Sequence, residues 1–502
     1  MPSLSRAINL MFFILISFCF MSTGCHSAKY EEGDGSAQDV SLDGSEHEGG
    51  DSDADSDADG DSDADHDAYV EDGGVDGWVD PCQDASPPDC VRYVDISAPD
   101  GGDGLSWKAA FKSIQEAIDS AYQEIQPDGG PSECEVWVAK GTYRIFKSAP
   151  EDTLQLKPHV ALYGGFAGTE DLRCERRAKA NAAIITGCED DRNCILTSDP
   201  GTRTYHVITG SSDTAIDGFI VTGGDTHYDD MHNEGAGLLQ IGGTVSLTNM
   251  TFKYHTDSAV ACYNCHMNIK ASDVSINMGG IYFIGGYGSI DNCMISGNIS
   301  LHGSGIYAEN TELIITNTVF QHNGVSEYGG AIYFIGESMS IINCIFYDNA
   351  CNENGGALSV IGDPIEIINS VFVENEVMQT GAYIRGRGGA IYRGGGYVYN
   401  SLFWGNSPDD YELEMGDYNY QFWNSLIRET SPTHGNFEKD PLFVDQENGD
   451  LHLQAGSSCI DKADDTKAPA TDIEGHGRLD IPGVGTPGTK ADVGAYEYRP
   501  KW

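Results

Sequence analysis

A short phrase recurs along the middle of the chain, and it constrains the fold more than any other feature. Each unit begins Gly-Gly-(Ala or Ile)-aliphatic, usually followed by Tyr, and continues into an apolar run that carries two asparagines. The clearest copies begin at Gly329, Gly355 and Gly388, and weaker copies begin at Gly279 and Gly305. A repeat of about 25 residues is too short to bury its own apolar side, so each unit must pack against its neighbours in a solenoid.

The content of each unit indicates which kind of solenoid this is. Short β-rich runs, such as Ile365–Ile368 and Val371–Val373, are broken by Gly, Asn and Asp, and no run of helical periodicity fits between copies. Helical and leucine-rich solenoids therefore fit poorly. Short parallel strands stacked at about 4.8 Å per coil fit well. We predict an all-β fold, a right-handed parallel β-helix with an N-terminal capping helix.

The first asparagine of each unit is the predicted position of a structural ladder. Amide side chains at the same place in successive coils can hydrogen-bond to one another, as they do in stacked cross-β arrays. The residues assigned to this ladder are Asn292, Asn317, Asn343, Asn369 and Asn400.

A tyrosine also recurs once in most coils. It directly follows a buried-type aliphatic residue and should therefore point to the opposite, outer face of its strand. An outward row could stack against sugar rings, or it could stabilise the sheet through neighbour contacts alone. The candidate glycan-stacking residues are Tyr282, Tyr307, Tyr333 and Tyr392.

One polar loop is the best candidate for chemistry. Its carboxylates could hold a divalent ion, with calcium as the candidate cofactor, because calcium prefers oxygen ligands. Arginines at 385, 387 and 393 could supply a base if they share its face. The loop could equally be a structural insertion between coils, and no catalytic residue is assigned. The candidate ligands are Asp225, Asp229, Asp230 and Glu234.

The chain divides into five predicted regions. Apolar residues between 110 and 121 recur at helical spacing and predict an amphipathic helix over 106–122 that closes the open end of the solenoid. The regions are a signal segment (1–25), an acidic tether (26–90), an N-terminal cap (91–145), coils (136–430) and a C-terminal cap region (431–502).

The N-terminus resembles an export signal. A basic Arg6 precedes an apolar stretch over 10–21, which is followed by Ser22-Thr23-Gly24-Cys25. This tetrapeptide resembles a lipobox, and the resemblance implies lipidation at Cys25 and membrane attachment through that lipid. Ordinary cleavage near Ala28 is the alternative.

The cysteines beyond the signal suggest disulfides in an exported protein. Sequence proximity would pair Cys82 with Cys90 and Cys188 with Cys194. Equivalent repeat positions predict that Cys293 and Cys344 are buried small residues. A metal site at Cys262-x-x-Cys265, with His255 and His266 nearby, is a further alternative.

The net charge restricts the partners. The chain carries 78 acidic against 28 basic residues, a formal charge of −50. Residues 26–90 alternate acids with small polar residues and predict a disordered, self-repelling tether, yet they account for less than half of this charge. Nucleic acid, which needs a basic surface, is excluded as a partner. Neutral glycans, cations and surface proteins suit the charge better.

The repeats resemble the GGAI and FxxN repeats of chlamydial polymorphic outer-membrane proteins; Phe372-Val373-Glu374-Asn375 matches FxxN as it stands. The wider chain resembles bacterial β-helix surface proteins of the pectin-lyase-like superfamily. The segments 440–445 and 492–498 resemble the choice-of-anchor Q C-terminal region. These resemblances imply a monomeric protein, secreted or anchored as an outer-membrane lipoprotein at a Gram-negative cell surface.

Several functions remain open on this reading, because one fold hosts many of them. We expect non-catalytic adhesion or glycan binding; the alternatives are a polysaccharide lyase or glycoside hydrolase, and a structural envelope spacer. Gly475-His476-Gly477 matches part of a polygalacturonase-like motif. It lies far from the coils without the paired aspartates, and we interpret it as a turn.

Overall fold

The computed structural model describes most of the chain from residue 88 onward as a right-handed parallel β-helix, which confirms the predicted fold class. The predicted signal, Cys25 and most of the predicted tether lie outside the described residues. The residues described are 82, 86, 88–125, 130–190, 202–226, 234–362, 364–378, 386–412, 419–428 and 434–500.

A long parallel sheet of 20 strands runs through the described coils. Most coils contribute two segments to it, and two strands of 11 residues bridge both halves. Its strands are Val91–Val94, Cys134–Ala139, Leu154–Gln155, Val160–Phe166, Ile208–Thr209, Thr214–Asp217, Leu238–Ile241, Thr244–Thr248, Val260–Lys270, Ile281–Asp291, Ile306–Glu309, Glu312–Thr316, Ile332–Gly336, Ser338–Ile342, Leu358–Gly362, Ile365–Ile368, Ile391–Tyr392, Gly396–Tyr399, Tyr411–Glu412 and Tyr420–Trp423.

Two further parallel sheets complete the coils. The second sheet has ten described strands and the third has four. The second sheet contains Gly141–Arg144, Ala183–Thr186, Phe219–Thr222, Thr251–Lys253, Asp273–Ser275, Met294–Ser296, Val319–Gln321, Ile345–Tyr347, Val371–Val373 and Leu402–Trp404, and the third contains Ile299–His302, Gly324–Tyr328, Ala350–Cys351 and Glu376–Val377.

Like residues stack on like in the interior because the coils keep their register. In the second sheet, Phe320, Phe346, Phe372 and Phe403 pair in sequence and are fully buried. Their ring centroids lie 4.6–4.8 Å apart with nearly parallel planes. This spacing is that of neighbouring strands, so one aromatic column follows directly from the repeat.

The continuous asparagine ladder runs through the second asparagine of each unit. Each of these amides except the last donates to the side-chain oxygen of the next at 3.0–3.1 Å, and Asn406 donates to Asp410 instead. Each also donates to a backbone carbonyl of a preceding coil. All of them are buried. The ladder comprises Asn277, Asn298, Asn323, Asn349, Asn375 and Asn406.

The first asparagines, where the ladder was predicted, stack only in pairs. Asn343 donates to Asn317 at 3.2 Å and Asn400 donates to Asn369 at 3.0 Å, whereas Asn292 is exposed. All five have φ between 46° and 54°, in the left-handed region that asparagine tolerates. They therefore shape corners between sheets, and several of their side chains turn towards the C-terminal region instead.

The cysteines of the described coils are of two kinds, free thiols and disulfide-bonded cysteines. Cys293 and Cys344 are buried free thiols, as predicted. Thr318 and Ser370 occupy the same column, where each side-chain oxygen accepts from the backbone N–H of the coil before it.

The predicted pairing of Cys82 with Cys90 is wrong, and Cys194, the predicted partner of Cys188, lies outside the described residues. Cys82 pairs with Cys174, and Cys90 pairs with Cys134. The parallel register of Val91 with Glu135 places Cys90 beside Cys134, so strand pairing rather than proximity in sequence decides the partner.

The Cys262-x-x-Cys265 motif is a disulfide, which excludes the thiolate metal site considered above. The intervening Asn264 has φ of 52° and breaks the strand alternation. Both cysteines consequently point inward and are fully buried. His255 is buried and hydrogen-bonded to backbone, while His266 is exposed.

The N-terminal helix spans Ile114–Glu124, with Ser113 as its N-cap. It begins later than the predicted residue 106, because residues 107–109 form a 3₁₀ turn. Ile114, Ala117, Ile118 and Ala121 are buried against the first coils. No helix in the described part of the chain is long and apolar enough to cross a membrane.

The C-terminal region lies along the outer side of the second sheet. An antiparallel hairpin pairs Phe443–Asp445 with Asp450–Leu453, and a 3₁₀ turn, Gln446–Asn448, connects them. The region shares a separate apolar cluster with coil residues such as Val371 and Leu402. The remaining 3₁₀ turns of the described chain are Trp107–Ala109 and Arg173–Glu175.

Candidate functional site

A row of tyrosines lies on the outer face of the long sheet. Tyr282 pairs with Tyr307, and Tyr307 with Tyr333, in the parallel register. Their ring centroids are 4.8 and 5.6 Å apart, and each side chain is half-buried. The preceding isoleucines, such as Ile306, are buried inside the coils. The alternation of the strand therefore explains the outward direction of these rings.

The fourth predicted tyrosine does not continue this row. The coil after Tyr333 contributes Ser359 at the same position, and Tyr392 follows only beyond it. Tyr392 is 5% exposed, and the guanidinium of Arg393 lies 5.9 Å from its ring centroid. We define the tyrosine row as Tyr282, Tyr307 and Tyr333.

A second outward row runs beside the first, two residues further along each strand. It is mainly apolar, and Tyr263 lies 5.9 Å from Tyr282 between ring centroids. Adjacent rows of this kind give a continuous surface with a large apolar component, as ligand sites commonly have. Its members are Ile241, Tyr263, Ile284, Glu309, Ile335 and Ile361.

The third sheet forms one rim of this surface. The His302 ring lies 5.8 Å from Tyr328 and 5.3 Å from Tyr333, in stacked arrangements. Its Nε2 is 3.5 Å from a carboxylate oxygen of Glu327. A hydrogen bond to Glu353 raises the pKa of Tyr328 to about 12. The rim therefore combines aromatic rings with acidic groups.

Acidic groups also lie among the tyrosines. The Tyr307 hydroxyl donates to Glu309 at 3.0 Å. Burial, followed by the charges of Glu234, Glu309 and Asp257, raises the pKa of Tyr282 to about 12. The phenols thus stay protonated at neutral pH and can act as hydrogen-bond donors.

A carboxyl pair marks one end of the tyrosine row. Glu234 hydrogen-bonds to Asp257, and burial together with the Asp257 charge raises the pKa of Glu234 to about 9. Thr226 Oγ1 donates to Asp257 at 3.0 Å. The buried Glu234 Oε2 has no hydrogen-bond partner. Such an oxygen is costly to leave unpaired, so it favours a ligand that brings a donor.

The structure separates the four carboxylates predicted for calcium. Asp225 is buried and accepts from Thr256 Oγ1 at 2.7 Å, near the buried Arg203 guanidinium. Glu234 instead pairs with Asp257, as described above. Asp229 and Asp230 lie outside the described residues. Asp225 and Glu234 do not belong to a described group of three metal-ligating side chains.

Of the arginines considered as a base, Arg387 lies 3.9 Å from Glu412, Arg393 lies beside Tyr392, and Arg385 is outside the described residues. The described Arg387 and Arg393 thus belong to the coils beyond Ser359 rather than to the Glu234 end of the tyrosine row.

The sequence interpretation missed Asp257 and Tyr263. Asp257 lies outside the loop from Asp225 to Glu234 that was chosen as the candidate metal site, while Tyr263 belongs to a coil without the Gly-Gly phrase. The available signal for Tyr263 was strand alternation. Tyr263 lies two residues after Ala261, which pairs with Tyr282 of the next coil, so both positions point to the outer face.

A group of potential metal ligands lies in the C-terminal region. Asp472, Glu474 and His476 place one ligand atom each within 4.8 Å of one another. The surrounding Gly475-His476-Gly477 segment is a turn, as predicted, since Thr471 and Gly477 form an antiparallel bridge around it.

Comparisons with known proteins find similar solved structures. No protein-family model and no curated sequence matches the chain. Among solved structures it is similar to pectate lyase Pel9A, with 13% identity and a TM-score of 0.48, over 84% of this chain and 100% of that one. It is also similar to a rhamnogalacturonan lyase, with 13% identity and a TM-score of 0.36, over 71% of this chain and 91% of that one. A further similar structure is the Streptococcus pneumoniae surface adhesin PfbA, with 12% identity and a TM-score of 0.29, over 62% of this chain and 86% of that one. At these identities the likeness is one of fold alone.

Proposed function

We propose that this protein is a non-catalytic, cell-surface β-helix that binds neutral glycans across the tyrosine row. The observation that carries the proposal is the register of three half-exposed tyrosines, Tyr282, Tyr307 and Tyr333, on one outer face. An amphipathic phenol offers both apolar area and a hydroxyl donor, which suits a sugar surface.

The geometry indicates how a sugar chain would lie. The rings of Tyr282 and Tyr307 stack on each other with planes 15° apart, so they offer edges and hydroxyls rather than free faces. Coils repeat at about 4.8 Å, which is close to the length of one sugar residue in an extended chain. A chain running along the solenoid axis would thus meet one tyrosine per sugar.

The polar groups favour a neutral ligand. Glu309, Glu327, Glu353 and the Glu234–Asp257 pair lie on or beside this surface, and Arg393 is the nearest cation acting on Tyr333. A polyanionic chain would be repelled by these acids, whereas sugar hydroxyls can donate to them.

One observation favours a polysaccharide-degrading enzyme as second candidate. The raised pKa of Glu234 keeps it protonated at neutral pH, as a general acid of a glycoside hydrolase would be. However, catalytic carboxyls of such enzymes flank the bond at roughly 5 Å or more. Glu234 and Asp257 hydrogen-bond to each other instead, so binding remains the better proposal.

A panel of neutral and acidic polysaccharides tests both candidates. The purified chain should be retained by a neutral glycan, and Tyr307→Ala should lower retention about tenfold, the loss expected when one ligand-contacting tyrosine worth about 1.4 kcal/mol is removed. Tyr122→Ala, which removes an exposed tyrosine of the N-terminal helix, is the matched control. Undiminished retention by Tyr307→Ala would contradict the binding site, and shortened polysaccharide chains would establish the enzyme.

We further propose that Cys25 carries a lipid that attaches the protein to the outer membrane, with the acidic segment 26–90 as its tether. The apolar stretch before Cys25 and the polar segment after it support this proposal. Metabolic labelling with a fatty acid should mark the wild-type chain and fail to mark Cys25→Ser. Equal labelling of both chains, or of neither, would contradict it.

A further inference from the structure

Three metal-ligating side chains converge in the C-terminal region, and a histidine from a separate segment contacts one of them. His452 projects from the second strand of the hairpin, while Asp472, Glu474 and His476 belong to the turn that follows. His476 Nδ1 is 3.5 Å from Asp472 Oδ2 and 3.4 Å from Glu474 Oε2. His452 Nε2 reaches the same Glu474 oxygen at 3.2 Å.

The two separations at His476 are longer than those of ordinary ion pairs. Charge-assisted hydrogen bonds between nitrogen and carboxylate are usually about 2.7–2.9 Å long. Donor atoms that share one tetrahedral ion, with bonds of about 2.0–2.2 Å, lie about 3.3–3.6 Å apart. The His476 distances of 3.4 and 3.5 Å correspond better to a shared ion, whereas the 3.2 Å between His452 and Glu474 is that of a hydrogen bond.

His476 supplies an independent indication. Its Nδ1 is buried and has no hydrogen-bond partner, although two carboxylate oxygens face it. Burying an imidazole nitrogen without a bond costs free energy, and coordination to a metal would offset that cost. The ring itself is partly exposed, so the site lies near the protein surface.

The surrounding groups hold the ligands in place. Asp472 is buried, and its Oδ1 accepts from the backbone N–H groups of Glu474 and His476 at 3.0 and 2.7 Å. His452 Nδ1 hydrogen-bonds to Asp450 at 2.7 Å. Its Nε2 lies 3.2 Å from Glu474, so His452 holds the Glu474 carboxylate in place from outside the ligand group, as partners of metal ligands commonly do.

We propose that Asp472, Glu474 and His476 bind one divalent transition-metal ion of the zinc class, with water completing its coordination. One imidazole and two carboxylates suit zinc, whereas calcium prefers six to eight oxygen ligands. The ion would join Asp472 to His476 across the turn over 471–477, and His452 would position Glu474 from the hairpin Asp450–Leu453. Its role would be structural, as a cross-link within the C-terminal region, and it is independent of glycan binding.

Zinc itself is the probe for the test. The purified chain is loaded with Zn²⁺, dialysed, and analysed for bound metal and for its X-ray absorption spectrum, with Ca²⁺ as competitor. We expect one zinc per chain, a coordination shell of nitrogen and oxygen only, and no displacement by millimolar calcium. Thermal denaturation should show a higher Tm with zinc than after chelation.

Three variants make the test specific. Glu474→Gln keeps the side-chain shape, and His476→Ala removes one ligand; each should lower zinc affinity at least tenfold and abolish the zinc-dependent Tm shift. His266→Ala, which removes an exposed imidazole of the long sheet, should behave like wild type.

The proposal fails if no zinc remains after dialysis, if the variants retain zinc as wild type does, or if the spectrum shows sulfur ligands. Sulfur would assign the metal to the buried thiols Cys293, Cys344, Cys351 or Cys459. Glu474→Gln guards against a folding defect in His476→Ala, since its circular dichroism should match wild type.

Discussion

The coils and the C-terminal region both bury polar groups, but they satisfy the hydrogen bonds of those groups in different ways. In the coils a neutral amide repeats, and each buried asparagine satisfies the next at 3.0–3.1 Å. In the C-terminal region the polar contacts do not repeat and many involve charge, as in the buried ion pair of Arg478 with Glu497 at 3.1 Å. Repetition makes the coil contacts interchangeable, whereas each charged contact depends on one particular partner.

This difference decides what a substitution does. A broken rung leaves unpaired amides in two neighbouring coils, because each asparagine both donates and accepts along the ladder. A broken ion pair leaves a buried charge without its partner, and this lowers the stability of the surrounding structure. The following predictions measure these two responses, beginning with the larger.

Asn349→Ala should destabilise the coils most. Asn349 donates to Asn375 and to the Phe320 carbonyl, and it accepts from both nitrogens of Asn323. Removing it should lower the free energy of unfolding by about 4 kcal/mol, since several buried groups lose their partners. Urea denaturation measures this loss. The exposed Asn448→Ala should change it by less than about 0.5 kcal/mol, and equal losses in the two variants would contradict the ladder's role.

Arg478→Ala should destabilise the C-terminal region by about 3 kcal/mol, because Glu497 would remain buried without its cation. Its guanidinium also donates to the carbonyls of Pro469 and Thr471, each at 3.1 Å. Hydrogen exchange should accelerate in residues 440–498 and stay unchanged in 281–378. The exposed Lys439→Ala is the control. Uniform acceleration through the coils would show that the two regions unfold as one unit.

The same contrast explains what the sequence could predict. A repeat fixes the strand, the inward phenylalanines and the outward Tyr282, Tyr307 and Tyr333 at once, because every coil adds the same signal. The repeat could not show which of the two asparagines in each unit forms the ladder, because both recur with the same period. Only the second, such as Asn349, points inward at every coil. Nor could the repeat show that Tyr392 becomes buried beyond Ser359.

Contacts that occur only once in the fold have no repeated pattern in the sequence that would predict them. Cys82 and Cys174 are 92 residues apart in sequence, and His452 lies 24 positions before His476. Their proximity depends on how loops and the C-terminal region fold back on the coils. The carboxyl pair of Glu234 and Asp257 is of the same kind, since neither residue belongs to a repeated position.

The two regions should respond to pH in opposite directions. Burial lowers the pKa of His255 in the coils from 6.5 to about 3, so its contribution to stability is lost as the pH falls from 6.5 towards 3. Burial and the Glu497 charge raise the pKa of Asp492 from 3.8 to about 8. That contribution is complete at low pH and is lost as the pH rises towards 8.

Each pH unit within these windows changes the free energy of unfolding by up to about 1.4 kcal/mol for one group. Because the raised pKa of Glu234 acts in the opposite direction in the same coils, the comparison is made in Glu234→Gln. There, hydrogen exchange corrected for intrinsic rates should show residues 219–226 and 250–257 opening more at pH 4.5 than at 6.5. Residues 459–498 should open more at pH 8 than at 6. The same pH trend in both regions would contradict these assignments.

Tyr347→Phe should have the smallest effect, about 1 kcal/mol, because it removes one neutral hydrogen bond. The Tyr347 hydroxyl of the coils donates to the Gln446 carbonyl of the C-terminal region at 3.0 Å. Hydrogen exchange of residues 443–453 should rise modestly, with no change in the second sheet. Phe346→Leu, inside the aromatic column, is the contrasting variant and should affect the coils instead.

Calorimetric titration tests most directly whether the repeated coils build a glycan-binding face. The ligand is an oligosaccharide of the neutral glycan that the wild-type chain retains, and the variant combines Tyr282→Ala, Tyr307→Ala and Tyr333→Ala. We predict at least a hundredfold higher Kd for the variant, with unchanged circular dichroism and intact oligosaccharide. An unchanged Kd would contradict binding at the tyrosine row.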